Sequence, residues 1–85
     1  MDVASRIRDF IRAELLFENS DERLENDTPL LDGILDSLGL MQLVAFLEEE
    51  FDVEMDDEDI TADHFRTVAD IGRLVTQQIA EQQTV

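Results

Sequence analysis

DSLGLMQLVAFLEEEF, residues 36 to 51, decides the fold of this chain. Leu40, Leu43, Val44, Leu47 and Phe51 recur at i, i+3, i+4, i+7 and i+11, an unbroken apolar stripe at the helical period. The spacing predicts a helix that starts at Asp36 or Ser37 and runs to about Phe51, with Asp36 able to cap its first amides. That stripe alone is enough for the core of a small bundle. Leu38, Met41 and Ala45 fall outside it, and with Ser37 they form a second strip along a neighbouring face, continued by Glu48. A small apolar strip rimmed by acid and left in water marks a contact surface. Phe46 points elsewhere again and is expected against a short third helix.

On the N-terminal side, Val3, Ile7, Phe10 and Ile11 keep helical spacing behind Asp2, so a first helix is expected over residues 3–17, capped by Asp2. A long connection follows, ENSDERLENDTPLLDGILD from Glu18 to Asp36, in which Asn, Asp, Ser, Pro29 and Gly33 break any period. Long connections in small domains are usually functional or pinned. Leu24, Leu30, Leu31, Ile34 and Leu35 predict pinning, by dropping into the core. On the C-terminal side, after the acidic turn DVEMDDED, Thr61 is placed to cap a short helix ending near His64 and Phe65. Thr67 can cap a last one carrying Val68, Ile71, Leu74, Val75 and Ile79. Strand signals are absent. The expected fold is all-α, a small four-helix bundle of three main helices and one short helix with a long first loop. It forms one domain over residues 1–85, with a tail from about 80 to 85 that frays.

Composition excludes several function classes. A chain of 85 residues supports one modest core and can hardly enclose the ~300 Å³ or more that a small substrate requires, so a non-catalytic role is expected. With no cysteine there is no disulfide, thiolate nucleophile or Cys-type zinc site, and with no lysine there is no Schiff base or P-loop. All six basic residues are arginines. The net charge is −16, and between Leu24 and Phe65 fourteen acidic residues stand with no basic one. Such a surface repels a phosphate backbone or an anionic membrane and suits basic protein patches; a solubilising face is the plainer account of it. Nucleic acid and membrane insertion are therefore not expected. No apolar run approaches the ~18 residues of a membrane helix, and MDVASRIRDF lacks the apolar centre of a signal peptide, so a cytoplasmic chain is expected.

Ser37 taken alone fits a plain helix cap, since serine is among the commonest capping residues. A nucleophile elbow would need glycine two positions earlier, where Leu35 stands, and the one histidine, His64, lies beyond the acidic turn. Asp52, Glu54 and Asp56 echo the alternate ligands of a calcium loop. Asp57 stands where that loop needs glycine, and Asp63 where it has glutamate, so no dedicated metal site is expected.

LLDGILDSLGLMQLVAFLEEEFDVEM, residues 30 to 55, resembles the acyl and peptidyl carrier proteins. Asp36-Ser37-Leu38 stands in place of that family's D-S-L motif, and Leu47-Glu48-Glu49-Glu50-Phe51 matches its L-E-E-x-F. ITADHFRTVADI, residues 60 to 71, looks like the same family's later helices. The resemblance implies that Ser37 carries a 4′-phosphopantetheine arm derived from coenzyme A, whose terminal thiol holds cargo as a thioester. Helix-start amides and the macrodipole favour a phosphodiester at that position. Asp36 would fix the serine's direction and Leu38 would pin the loop junction, while Met41, Gln42, Ala45 and Glu48 would meet partner enzymes. Those partners would be a phosphopantetheinyl transferase, an adenylating ligase or acyltransferase, and downstream condensing or tailoring enzymes acting on a monomeric carrier. Fatty-acid carriers typically have acids two and five places after the motif serine, where this chain has Gly39 and Gln42. LDSLG followed by QL looks more like freestanding aminoacyl, D-alanyl and discrete peptidyl carriers. An aminoacyl or peptidyl carrier is accordingly expected, with a polyketide or fatty-acyl carrier as the alternative. From a different class, the competitor is an unmodified acidic helical interaction module in which Ser37 is only a cap.

Overall fold

The periodicity of Val3, Ile7 and Ile11 is realised in a helix whose inner side carries Ile7 and Ile11, both fully buried. The computed structural model describes residues 2–15 and 24–82. Helix α1 spans Val3–Phe10 and continues into a π-helical turn over Ile11–Leu15. The expected α-helix therefore gives way to π geometry five residues early within the described part. Its last two expected residues, Leu16 and Phe17, lie outside the described residues. Asp2 occupies the cap position, but only its carbonyl engages, accepting from the Arg6 amide at 3.2 Å, and its side chain makes no cap bond.

Helix α2, Ser37–Phe51, follows the sequence expectation closely. Leu43, Val44, Leu47 and Phe51 are buried and Leu40 packs at the core edge. The helix stops at Asp52, which adopts the left-handed conformation (φ 55°, ψ 52°) that aspartate tolerates better than most residues. The amides of Asp52 and Val53 both reach the Glu48 carbonyl there, Val53 at 3.2 Å, which closes the helix end. Phe46 stacks on Phe10 of α1, with ring centroids 4.3 Å apart, and meets the Phe51 ring edge-on at 6.2 Å. An ion pair between Arg6 and Glu50 joins the same two helices.

The connection before α2 is pinned from two sides. Leu24, Leu30 and Leu35 are buried and Ile34 packs against them, whereas Leu31, expected inside, is exposed. The cause is local: the amides of Ile34 and Leu35 fold back onto the Leu30 carbonyl at 3.1 and 2.8 Å. Gly33 makes this reversal at φ 130°, where a side chain would be strained, and Leu31 is carried outward. Arg12 donates to the Leu24 carbonyl and Arg8 to the Asn26 side chain, which fastens the loop to the π turn and to α1. The Asn26 carbonyl accepts from Ala69 of α3 at 2.9 Å and Leu30 donates to the Arg66 carbonyl, just ahead of α3, at 2.8 Å, which fastens the loop on its other side.

Helix α3, Val68–Gln82, is capped by Thr67 as the sequence suggested, its hydroxyl oxygen accepting from the Asp70 amide at 3.1 Å. Val68, Ile71, Leu74 and Val75 are buried, and Ile79 packs at the edge. The short helix expected from Thr61 is a single turn. Thr61 accepts from His64 through its hydroxyl and from Phe65 through its carbonyl, but Arg66 is already turned toward the loop. The short regular element lies just before it, a 3₁₀ turn over Asp57–Asp59 closed by reciprocal side-chain bonds between Asp56 and Asp59. Helix α3 extends into the region from 80 that was expected to fray. Ala80 to Gln82 are helical, and Gln82 accepts from the Glu54 amide at 2.8 Å and donates to its carbonyl at 3.0 Å. Among the described residues there is no strand, and the fold is all-α.

Candidate functional site

Asp36, not Ser37, closes the N-terminus of α2. Its Oδ1 accepts from the Gly39 amide at 2.6 Å, and its carbonyl accepts from Leu40 at 2.8 Å. Ser37 is consequently the first residue inside the helix, and it is exposed. Serine as a mere cap has no place here, because the capping bond is already made by its neighbour. The amides of Ser37 and Leu38 belong to the first turn, where no intrahelical carbonyl lies ahead of them, and the helix dipole adds positive potential. An exposed hydroxyl among such donors suits a phosphodiester.

The neighbouring strip is confirmed as surface at its two large residues. Leu38 is 67% exposed and Met41 60% exposed. Leu38 therefore does not pin the loop junction, as expected from the motif; Leu35, buried one turn before it, does that. Ala45 and Gln42 are also exposed. Glu48 is only half exposed, because its Oε2 accepts from the Met55 amide at 2.9 Å and so ties the acidic turn to α2. Gly39 is buried. A Cβ there would sit 3.1 Å from Asp36 Oδ1 and 3.5 Å from a Leu15 methyl. An acid at position 39 would thus crowd the capping carboxylate with a like charge, so Gly39 is fixed by packing.

Beside Ser37 the surface is grooved. A depression of about 220 Å³ is bounded by Glu14, Leu15, Ile34, Leu38, Gly39 and Gln42, among others. A second, of about 370 Å³, continues along α2 between Phe10, Glu14, Gln42, Ala45, Phe46 and Glu49. The two share Glu14 and Gln42. This groove was not legible from the sequence, because one wall is the π turn, whose bond pattern no periodicity announces.

The other residues singled out from the sequence lie apart. His64 is half-buried and its Nδ1 donates to the Asp59 carbonyl at 2.7 Å, a positioning bond within the acidic turn. Asp56 and Asp59 are engaged with each other, and the described residues hold no group of three or more acidic or histidine side chains arranged to grip a metal. Gln78 escaped the sequence reading: it is buried on α3 and donates to Asp59 Oδ2 at 3.1 Å.

A small helical bundle that presents an exposed serine at the head of an amphipathic helix, with an uncovered apolar strip beside it, has the build of a carrier domain. The chain belongs to the family described as phosphopantetheine attachment site, whose model matches residues 5–75. It is 41% identical over 75 residues to an acyl carrier protein of Lactococcus lactis subsp. cremoris (strain MG1363), covering 88% of this chain and 94% of the relative. It is 39% identical over 67 residues to one of Clostridium perfringens (strain SM101 / Type A), covering 79% and 86%. It is 31% identical over 80 residues to one of Caulobacter vibrioides (strain NA1000 / CB15N), covering 93% and 97%. Among solved structures, a chain in "Crystal structure of FAD-dependent dehydrogenase" superposes with a TM-score of 0.74 at 37% identity, covering 81% of this chain and 97% of that one. The protein is a carrier of the phosphopantetheine-binding family, and its prosthetic group is 4′-phosphopantetheine. An unmodified interaction module is thereby set aside. No helix among the described residues is long and apolar enough to cross a membrane.

Proposed function

We propose that Ser37 is the attachment point and that the protein carries an aminoacyl or peptidyl group between enzymes without catalysing a reaction itself. The observation that carries the attachment is the division of labour at the helix start. Asp36 holds the cap, and the Ser37 hydroxyl is left exposed among first-turn amides. In the modification, the Ser37 oxygen bonds the pantetheine-bearing phosphorus of coenzyme A. The pyrophosphate bond breaks, adenosine 3′,5′-bisphosphate leaves, and the hydroxyl proton passes to the transferase. The arm supplies a thiol that holds cargo as a thioester. Leu38, Met41, Gln42, Ala45 and Glu48 offer partner enzymes an apolar strip with an acidic edge, suited to basic patches on a transferase, a loading ligase and tailoring enzymes. A cytoplasmic setting, where coenzyme A is made, fits that role.

The cargo class rests on one support. At the positions two and five after Ser37 there is a buried glycine and an amide, in place of the acids of fatty-acid carriers. A second reading, a fatty-acyl or polyketide carrier, is favoured by the names of the three curated relatives above, each an acyl carrier protein.

Incubation with coenzyme A and a broad-range transferase tests the attachment: intact mass should rise by one phosphopantetheine, and Ser37→Ala should abolish the gain. Modification at Ser5 or Ser20, or none where a known carrier is modified, would overturn it. For the cargo, the form that bears the free arm should be a better substrate for an adenylating ligase than for a malonyl transferase, and Gln42→Glu should narrow the difference. Efficient malonyl loading with no aminoacyl loading reverses the assignment.

A further inference from the structure

We infer that the groove between the π turn and α2 is a seat for the cargo itself and that it selects a cationic, ammonium-bearing group. The inference rests on the aminoacyl reading above and deepens it. Three observations converge on this surface.

The first is position. The groove begins beside Leu38 and Gly39, the residues next to Ser37, and runs along α2 to Glu49. At 1.5 Å per residue the helix rises about 12 Å from Ser37 to Ala45. An arm built of phosphate, pantoate, β-alanine and cysteamine is about as long as five extended residues, ~16 Å, so its thiol end can lie in the groove. The second is the lining. Phe10 and Phe46, half-buried and stacked on each other, line the groove beside Ala45. An aromatic lining attracts a cation as well as an apolar side chain.

The third is the rim. Glu14 of the π turn and Glu49 of α2 both line the groove, as does Gln42 of α2. Both carboxylates are exposed, and among the described residues neither has a hydrogen bond or ion-pair partner; Glu50 next in sequence is already engaged with Arg6. An aminoacyl thioester keeps a free ammonium, which two carboxylates in a groove lined by aromatic rings complement. An acyl group keeps none, and would place a chain against the same rim without neutralising it. The groove thus favours holding an aminoacyl cargo against water and releasing an acyl one.

The test uses cargo installed chemically, so that it does not depend on any loading enzyme. Three coenzyme A analogues, with alanyl, N-acetylalanyl and butyryl groups joined by an amide in place of the thioester, are transferred to the 15N-labelled protein, and amide shifts are compared with those of the arm alone. The alanyl form should move Phe10, Ala45, Phe46 and Glu49, at least roughly threefold more than the two uncharged forms, as expected where a charged hydrogen bond is made in one and not the others. Glu14→Gln with Glu49→Gln, both at exposed positions, should remove that excess, and so should added salt. Equal shifts from all three groups, or an excess untouched by the double variant, would overturn the inference. If a ligase fails to load the protein while the alanyl excess persists, the natural cargo is misassigned and the groove stands. If a ligase loads efficiently and the groove does not respond, the groove fails and the aminoacyl reading stands.

Discussion

Removal of the Asp36 carboxylate should destabilise the protein, whereas removal of the Ser37 hydroxyl should not. In Asp36→Ala the Gly39 amide loses a charge-assisted bond of 2.6 Å at a buried glycine. Bonds to charged groups contribute about 1.5–3 kcal/mol when both partners are dry, and a carboxylate near a helix N-terminus adds ~0.3–1 kcal/mol. Asp36 itself is exposed, so water replaces part of the bond and the loss falls within the measured range for caps, about 0.5–2 kcal/mol. For a domain of this size 1 kcal/mol corresponds to ~4–8 °C in melting temperature, an effect easily read by circular dichroism. Ser37→Ala should stay within about 0.5 kcal/mol, as exposed substitutions do. Asp36→Asn, which keeps an acceptor and drops the charge, should recover most of the loss. If Ser37→Ala melts as early as Asp36→Ala, the serine is the cap, and the distinction on which the attachment site depends collapses.

The two strips of α2 are separable by mutation. Leu47→Ala should cost ~2–5 kcal/mol, because Leu47 is fully buried, while Met41→Glu should leave the melting curve nearly unchanged and weaken transfer to partner enzymes. An early melt for Met41→Glu would place the strip in the core. Gly33→Ala should cost about 1–3 kcal/mol from backbone strain alone, since φ is 130° and a Cβ there meets nothing within 4 Å. Gly72→Ala, equally unobstructed but helical, should instead raise the melting temperature, by up to ~1 kcal/mol of stability. Opposite signs for the two variants in one denaturation series check both.

What the sequence disclosed and what it hid follow a physical division. The α2 core stripe, the Asp36 cap and the Thr67 cap were legible because each depends on residues within one or two turns of one another. Leu31 was misplaced because its direction is set by the Gly33 reversal, and the number of leucines in a loop does not say which one a turn carries outward. The stacking of Phe46 on Phe10 was not legible, since Phe10 lies on another helix and no spacing encodes that meeting. Gln78 reads as a surface residue until Asp59 is brought across from the acidic turn to accept its amide. The short element expected from Thr61 to His64 and Phe65 is the single turn closed on the Thr61 hydroxyl and carbonyl, and the Leu30 bond to the Arg66 carbonyl follows it directly.

Ser37 belongs to the first turn of a capped helix and not to the loop before it, and this bears on how tightly partners must hold the protein. An arm carried there swings from a fixed pivot, so the volume its end explores is set by the arm alone and not enlarged by a mobile anchor. Once a partner enzyme has docked, the cargo is present near its active site at an effective concentration on the order of millimolar or above. Transfer then needs only a brief encounter over a small interface, of the kind that buries less than about 1,200 Å² and separates quickly. Weak recognition by many enzymes in turn becomes compatible with efficient delivery to each.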